Sequence, residues 1–239
     1  MLINNVAIVT GCTRGIGNAI SKKLAQEGCR VVGVYKQQKQ LAKKLESEFA
    51  SIKTIQADVG DMEKVTQVIN ATIKKYGTLD FVINNVGIDI FGKIENYDPA
   101  DWDRMIKTNL TSVFLFSKYS IPYLRKSKNP VIVNITSRLG FPEFTEPKSV
   151  AYSTVKAGIT TFTVGLSKEL KADGIRVNAV LPTPTKTDLF DEIFTPQDEE
   201  ALKKKGKLGK PEEVADLVLE LIHDKTANGK ILFDKRVHL

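Results

Sequence analysis

Short runs rich in β-branched residues alternate with longer amphipathic stretches along the whole chain. A β-branched run suits an extended strand, whereas apolar residues at helical spacing suit a helix that packs one face on a sheet. This alternation is typical of a parallel sheet built from βαβ units. The runs predict strands at Val6–Thr10, Arg30–Tyr35, Lys53–Ala57, Phe81–Asn84, Val131–Thr136, Ile175–Leu181 and Lys230–Phe233.

Residues at the ends of the predicted helices support this division of the chain. Asp98 precedes Pro99, which is the usual order of an N-cap and the first helical residue. Gly28, Gly77 and Gly174 each follow the end of another helix, where a glycine adopts the left-handed conformation at low cost. The pattern therefore predicts a doubly wound α/β fold, a seven-stranded parallel sheet with helices on both faces.

Chain length and composition fit one domain. The chain has 239 residues, of which 42% are apolar, and this is enough for one sizeable core. We expect a single domain over 1–239. The longest stretch without a predicted strand, 183–209, is a candidate lid over a binding site.

Charge and cysteine content exclude several classes of protein. There are 35 basic and 28 acidic residues, a net charge of +7, which favours anionic partners. The lysines are scattered over amphipathic helices, so we expect no nucleic-acid binding. Cys12 and Cys29 are too few for a disulfide framework and lack metal-ligand spacing. No leader and no apolar run of about 18 residues is present, so we expect a cytoplasmic protein with no metal and no membrane contact.

A glycine-rich turn follows the first strand and opens the first helix. Gly11 permits a tight turn, Gly15 lets the backbone approach a pyrophosphate, and Gly17 permits close packing of the helix. Free N–H groups at the start of the helix attract the anion. The order of strand, turn and helix predicts a dinucleotide site, with the spacing Gly-x-x-x-Gly-x-Gly.

The end of the second strand bears on which dinucleotide binds. A site that selects NAD places a carboxylate there for the ribose 2′-hydroxyl, but no Asp or Glu occurs between Glu27 and Glu46. Arg14 in the turn and Lys36 after the strand can meet a 2′-phosphate instead, and Lys39 can take the place of Lys36. The predicted cofactor is NADP(H).

A phenol and an ammonium lie four residues apart in Tyr152-Ser-Thr-Val-Lys156 and share one face of a helix. Tyrosine is a poor acid near neutral pH, and a neighbouring ammonium favours the phenolate and lowers the pKa of the phenol. The spacing alone is common, but beside a dinucleotide site it predicts a group that donates a proton.

Together these motifs resemble the short-chain dehydrogenase/reductase family. The resemblance covers nearly the whole chain and is carried by motifs that occur in the family's order. They are Thr-Gly-x-x-x-Gly-Ile-Gly at 10–17, Asn84-Asn85-Val86-Gly87, Asn109, Ser137 and Tyr152-x-x-x-Lys156. The resemblance implies an oxidoreductase that acts on alcohols and ketones.

The resemblance also implies the roles of four residues. Tyr152 is expected to protonate the carbonyl oxygen as hydride arrives from nicotinamide. Lys156 is expected to lower the pKa of Tyr152 and to bond the nicotinamide ribose. Ser137 is expected to hold the substrate carbonyl, and Asn109 to position a water that passes protons from Lys156 towards solvent.

Cofactor contacts are implied along the carboxyl ends of the strands. Asp58 and Val59 are expected to flank the adenine, and Thr185 and Thr187 to approach the carboxamide. The full predicted cofactor set is Gly11, Thr13, Arg14, Gly15, Ile16, Gly17, Tyr35, Lys36, Asp58, Val59, Asn85, Val86, Gly87, Tyr152, Lys156, Pro182, Thr185 and Thr187.

Within the family, the strongest resemblance is to 3-oxoacyl-[acyl-carrier-protein] reductases, in segments such as Gly174-Ile-Arg-Val-Asn. Related segments occur in reductases of sugars, steroids and alcohols, so another small carbonyl substrate is the alternative. A different class, a dinucleotide-binding sensor without turnover, would not need the proton-donating residues. An acidic carrier protein is the implied partner, and its candidate docking residues are Arg125, Lys126, Lys128, Lys168 and Lys171.

Two segments depart from the family pattern. Pro182-Thr183-Pro184 replaces Pro-Gly, and a β-branched residue before proline is restricted to extended geometry. Phe233-Asp-Lys-Arg236 replaces the usual Val-Asp-Gly-Gly, which affects the expected packing between subunits. A homotetramer is expected, with a dimer as the alternative. Apolar residues in the lid, including Phe190 and Phe194, make an apolar substrate plausible.

Overall fold

The computed structural model describes residues 1–236 and contains one parallel sheet of seven strands. The strands are β1 Val6–Thr10, β2 Arg30–Tyr35, β3 Ile52–Gln56, β4 Phe81–Asn84, β5 Val131–Ile135, β6 Arg176–Leu181 and β7 Ile231–Phe233. They lie in the order β3-β2-β1-β4-β5-β6-β7. The predicted fold class is confirmed, and the predicted strand ends differ from the observed ones by one residue at most.

Helices connect the strands and cover both faces of the sheet. They are α1 Gly15–Gln26, α2 Lys39–Glu48, α3 Met62–Tyr76, α4 Pro99–Met105, α5 Ser112–Leu124, α6 Val150–Glu169, α7 Asp188–Ile193, α8 Pro196–Lys204 and α9 Pro211–His223. A π-helical segment, Ile106–Thr111, joins α4 to α5. The predicted N-cap Asp98 accepts a hydrogen bond from the N–H of Ala100. Gly77 ends α3 with a φ of 78°.

Alternate residues of β1 enter two separate cores. On one face, Ala7 and Val9 pack in a cluster that includes Leu24 of α1 and Val218 of α9. On the other, Ile8 packs in a cluster with residues of α3, α5 and α6. Strands that bury both faces in this way are typical of doubly wound sheets.

The strand order reverses beside β1, which pairs with β2 on one side and β4 on the other. The carboxyl ends of parallel strands meet at one edge of the sheet, and the crevice at such a reversal is the usual ligand site of doubly wound folds. The loops after β1, β4 and β5 therefore determine which groups meet in that crevice. Within residues 1–236, no helix is both long enough and apolar enough to cross a membrane.

Candidate active site

The turn after β1 leaves backbone groups open to an anion. Arg14 occupies the N-cap position of α1, and its side chain does not cap the helix. No acidic residue lies in the first turn of α1, so nothing there neutralises the positive end of the helix. Gly11 and Gly15 have φ values of 71° and 54°, in the left-handed region that favours glycine. This turn fits the pyrophosphate of a dinucleotide.

Gly17 is required because the turn passes directly against the start of α1. A Cβ atom on Gly17 would lie 2.1 Å from the carbonyl oxygen of Gly11 and 2.5 Å from Nδ2 of Asn85. Both distances are far below van der Waals contact. The predicted role of Gly17, close packing of the helix on the turn, agrees with this geometry.

Thr10 and Asn85 join the turn to the loop after β4. The backbone N–H groups of Asn85 and Val86 donate to Oγ1 of Thr10 at 2.9 Å and 3.1 Å. Nδ2 of Asn85 donates to the carbonyl of Thr10 at 2.9 Å. These bonds hold the two predicted cofactor-binding segments together at the carboxyl ends of β1 and β4.

Tyr152 and Lys156 lie in the first two turns of α6, which packs against the end of β5. Nζ of Lys156 donates to the carbonyl of Ile135 at 3.1 Å and lies 5.5 Å from the centre of the Tyr152 ring. Both side chains are buried. A buried ammonium with one carbonyl partner retains further donors for a ligand.

Ser137 follows β5 and begins a short turn, Arg138–Gly140. Its hydroxyl accepts a hydrogen bond from the N–H of Leu139 and interacts with the Tyr152 hydroxyl. The turn lies so close to α6 that a Cβ atom on Gly140 would be 2.7 Å from the backbone of Lys156. The structure therefore brings Ser137, Tyr152 and Lys156 together as predicted.

Asn109 is completely buried in the π-helical segment. Its Oδ1 accepts from the N–H of Ile88 at 2.7 Å, and its Nδ2 donates to the carbonyl of Ile88 at 2.8 Å. The Asn109 side chain thus holds the segment after β4 in place through two hydrogen bonds. The sequence does not predict this contact. The side chain lies close to Lys156, since a Cβ atom on Gly87 would be 3.6 Å from both Asn109 Oδ1 and Lys156 Nζ.

The ionisation of the site differs from the sequence prediction. Burial raises the pKa of Tyr152 well above its usual value, and the charge of Asp89 raises it further. Burial lowers the pKa of Lys156, while Asp89 opposes that change. The expectation that Lys156 lowers the pKa of Tyr152 omitted both desolvation and Asp89, which are the main influences here.

Asp89 is the site residue that the sequence reasoning missed. It lies two residues beyond Gly87, and burial raises the pKa of its carboxyl. A signal was present in the sequence, because Asp89 is an acidic residue within the apolar run Ile88-Asp-Ile-Phe91. An acidic residue in such a run, directly after a cofactor motif, indicates a functional position.

Lys36 and Arg14, the two residues predicted to meet a 2′-phosphate, both follow the carboxyl end of a strand. Lys36 follows β2 and pairs with Asp58 at 2.8 Å, and this hydrogen bond lowers the pKa of Asp58. Arg14 contacts two carboxylates of α7, Glu192 at 3.3 Å and Asp188 at 3.7 Å. The predicted adenine neighbour Asp58 thus lies beside Lys36.

The segment that follows β6 joins the turn after β1. Thr187 caps α7, and a Cβ atom on Gly15 would lie 3.0 Å from its methyl group. Thr185 donates to the carbonyl of Thr183 at 2.8 Å. Thr187 therefore lies beside the predicted pyrophosphate turn, whereas its expected neighbour is the carboxamide.

The two segments that depart from the family pattern, 182–184 and 233–236, lie next to each other in the structure. Thr183 is buried and its hydroxyl lies 3.5 Å from the carboxylate of Asp234. Arg236 pairs with Asp234 at 3.1 Å and also with Glu213 of α9. A Cβ atom on Gly209 would lie 2.7 Å from the Thr183 hydroxyl. Thr183 is thus accommodated by a polar cluster that the C-terminal segment supplies.

Other candidate chemistries find no support in the part of the chain that the structure describes. No group of three or more His, Cys, Asp or Glu side chains within residues 1–236 is arranged to hold a metal ion. Both cysteines are buried, and burial raises the pKa of Cys12 to about 12. A thiol that does not ionise is a poor nucleophile.

Fold and site together define a nicotinamide-dependent oxidoreductase, and comparison with known proteins identifies the family. The family described as short chain dehydrogenase matches residues 5–198. The chain belongs to this family, the short-chain dehydrogenases/reductases.

Relatives within the family have different substrates. The chain is 33% identical to 3-oxoacyl-[acyl-carrier-protein] reductase FabG of Thermotoga maritima, over 95% of this chain and 93% of that protein. It is 32% identical to a 3alpha-hydroxysteroid dehydrogenase of Mediterraneibacter gnavus, over 97% of this chain and 96% of that protein. A short chain dehydrogenase of Burkholderia cenocepacia, solved in complex with NADP, superimposes with a TM-score of 0.90 at 29% identity and covers 97% of this chain and 96% of its own.

Gly17→Ala tests the fit of the turn to the dinucleotide. We expect the added methyl group to push the turn away from α1, at a cost of about 1–3 kcal/mol typical of overpacking. Affinity for the preferred nicotinamide dinucleotide should fall by about 5- to 150-fold, measured by calorimetry. The matched control is Gly165→Ala in α6, where a Cβ atom meets nothing within 4 Å. Equal affinities for the two variants would contradict the assignment.

Proposed function

We propose that this chain is an NADP(H)-dependent reductase that converts a ketone into a secondary alcohol. The observation that carries the proposal is the meeting of Tyr152, Ser137 and Lys156 at the carboxyl ends of the strands, beside a turn that fits a dinucleotide. The cofactor, when bound, supplies the hydride. The protein supplies the proton and holds the carbonyl group.

Tyr152 and Ser137 act on the carbonyl oxygen in this proposal. Their hydroxyl groups are neighbours, so one oxygen can accept from both. Ser137 orients the carbonyl, and Tyr152 donates the proton as negative charge develops on the oxygen. The raised pKa of Tyr152 agrees with a group that is protonated before the reaction.

Lys156 and Asn109 support this transfer. Lys156 is held through the carbonyl of Ile135, and its free donors are assigned to the cofactor ribose. The side-chain amide of Asn109 already bonds Ile88 on both its atoms. We therefore assign the proposed water contact to the backbone of Asn109, because π-helical segments change the register of backbone carbonyls and recur at functional sites.

Preference for NADP(H) rests on charge at the end of β2. Lys36 is the first residue after that strand, and its exposed ammonium lies beside Asp58 at the adenine end of the predicted site. Arg14 lies in the turn itself, at the N-cap position of α1. A 2′-phosphate accepts charge-assisted hydrogen bonds from both residues. Lys36 pairs with Asp58, and Arg14 pairs with Glu192 and Asp188 of α7, so each cation would exchange a carboxylate contact for the phosphate.

A 3-oxoacyl thioester is the substrate that we propose, on the strength of the FabG relative and the apolar surroundings of the site. The ring of Phe91 packs on Tyr152 with ring centres 5.7 Å apart, and Leu139 packs in the same cluster. Phe190 and Phe194 stack at 4.4 Å in the candidate lid, 183–209. Because a 3alpha-hydroxysteroid dehydrogenase also matches, at 32% identity, another carbonyl compound is the alternative.

The proposed carrier-protein contact falls far from the reacting groups of the same chain. Lys128 and Lys171 line a surface pocket at the starts of β5 and β6, the opposite edge of the sheet from Tyr152. Arg125 in this region pairs with Asp173 at 2.8 Å. A strand of five or six residues spans about 17–20 Å. The carrier contact therefore rests on the named relatives and on the net charge of +7.

The remaining parts of the proposal concern assembly and location. We assign the chain to the cytoplasm and to a homotetramer, with a dimer as the alternative. The C-terminal segment that departs from the family pattern, 233–236, makes ion pairs within its own chain, since Arg236 contacts Asp234 and Glu213. Subunit packing there would therefore differ from that of a family member ending in Gly-Gly.

Tyr152→Phe tests the acid directly. Loss of the hydroxyl should lower kcat for ketone reduction by at least about a hundredfold, the usual contribution of general acid catalysis, and leave the NADPH affinity within about twofold. Tyr123→Phe on α5 removes the same atom at a distance from the site and should retain full activity. Substantial ketone reduction by Tyr152→Phe would contradict the assignment.

Lys36→Ala tests cofactor selection. Loss of a charged contact worth about 1.5–3 kcal/mol should lower kcat/KM for NADPH by about 10- to 150-fold and leave NADH nearly unchanged. Lys39→Ala serves as the control, because Lys39 is an exposed lysine at the start of α2. A change in the NADPH to NADH ratio with Lys39→Ala alone would assign the contact to Lys39, and no change with either variant would contradict the proposed selection.

A substrate panel separates the proposed thioester from its alternatives. NADPH consumption is followed with an acetoacetyl thioester, a small sugar ketone and a bulky cyclic ketone. The thioester should give a kcat/KM at least about tenfold above the other two, equivalent to about 1.4 kcal/mol of transition-state binding. A preference for the sugar or the cyclic ketone would replace the thioester assignment and retain the reductase.

A further inference from the structure

Asp89 lies in a segment whose backbone is fixed on both sides. Asn109 bonds both the N–H and the carbonyl of Ile88, at 2.7 Å and 2.8 Å. The hydroxyl of Tyr97 donates to the carbonyl of Ile90 at 3.0 Å. Asp89 therefore stands between two anchored residues, and its direction is set by the fold.

This segment passes directly beside the reacting groups. A Cβ atom on Gly87 would lie 3.6 Å from Nζ of Lys156, and the ring of Phe91 packs on the ring of Tyr152. The N–H of Gly92 donates to the carbonyl of Lys148, just before α6, at 2.9 Å. The segment is thus joined to the helix that carries Tyr152 and Lys156.

The charges that act on Asp89 come from α6. Within the described part of the chain, the ionisable groups that influence its carboxyl are Lys156 and Tyr152. Ser137, the other neighbour of the Tyr152 hydroxyl, carries no charge. Desolvation raises the pKa of Asp89, and the ammonium of Lys156 opposes this effect.

We propose that Asp89 is a positioning residue of the reaction centre, which accepts a hydrogen bond from the Tyr152 hydroxyl and acts as counter-ion to Lys156. This inference rests on the proposed function, because it assigns Tyr152 as the group that exchanges the proton. The carboxylate keeps the phenol protonated and the ammonium charged before substrate binds.

Two functional consequences follow from this arrangement. Ketone reduction needs the protonated phenol, so it proceeds at neutral pH. Alcohol oxidation needs the phenolate as a base, and the neighbouring carboxylate disfavours that form. The site is therefore biased towards reduction at neutral pH, and oxidation should require alkaline conditions.

Asp89→Asn tests this inference, because it preserves the shape of the side chain and removes its charge. Without the carboxylate, the phenolate is less disfavoured, so the inflection in the pH profile of alcohol oxidation should move to lower pH by about one unit or more. Asp89→Ala should move it in the same direction. Asp103→Asn, on the exposed side of α4, serves as the charge-matched control and should leave the profile unchanged. An unchanged inflection in both Asp89 variants would overturn the inference.

A second measurement does not depend on turnover. The protein is labelled at Cζ of tyrosine with ¹³C, the Tyr152 signal is identified by its loss in Tyr152→Phe, and its titration is followed by NMR. The midpoint should be lower in Asp89→Asn than in the unsubstituted protein. Equal midpoints in the two proteins would overturn the role of Asp89. If the titration shifts as expected but no ketone is reduced, the proposed function fails while the contact between Asp89 and Tyr152 stands.

Discussion

The parallel pairing of β1, β4 and β5 is the constraint on which the active site depends. In this register Val9 pairs with Ile83, and Ile83 pairs with Val133, so the three strands end at the same edge of the sheet. The turn with the three glycines, the Asn85 loop and Ser137 follow these strand ends directly. Residues that are distant in sequence therefore come together at this edge without long connections. A shift of the strand pairing by one residue would separate them.

Desolvation has the largest effect on the pKa values of the ionisable groups at this edge of the sheet. Tyr152 and Lys156 are buried on a helix that packs against the sheet, and Asp89 adds a carboxylate to the same small volume. Charges interact more strongly there than in water because the surroundings are less polar. The carboxyl of Asp89 is influenced by both Tyr152 and Lys156, and its charge in turn favours the protonated phenol and the charged ammonium.

Local signals in the sequence predicted most of the fold and the central part of the site. Short runs rich in β-branched residues predict the strands, and Gly77 and Asp98 mark helix ends by local chemistry. Tyr152, Lys156 and Ser137 were found because their motifs are contiguous or lie at a strand end. These features depend on near neighbours in the chain.

Features that depend on distant neighbours could not be predicted. The hydrogen bond between Asn109 and Ile88 joins a π-helical segment to a loop. The periodicity of the sequence does not predict that π-helical segment. The proximity of Thr183 to Asp234 depends on where β6 and β7 end. The predicted lowering of the Tyr152 pKa omits burial and the charge of Asp89, which both raise it.

The most direct test of the central claim is the fate of the transferred hydrogen. NADPH carrying deuterium at both C4 positions is incubated with the protein and its preferred ketone, and the product is analysed by mass spectrometry and NMR. The proposed mechanism predicts one deuterium at the carbinol carbon and a hydroxyl proton that derives from solvent. A product with no deuterium on that carbon would contradict hydride transfer at the Tyr152 site.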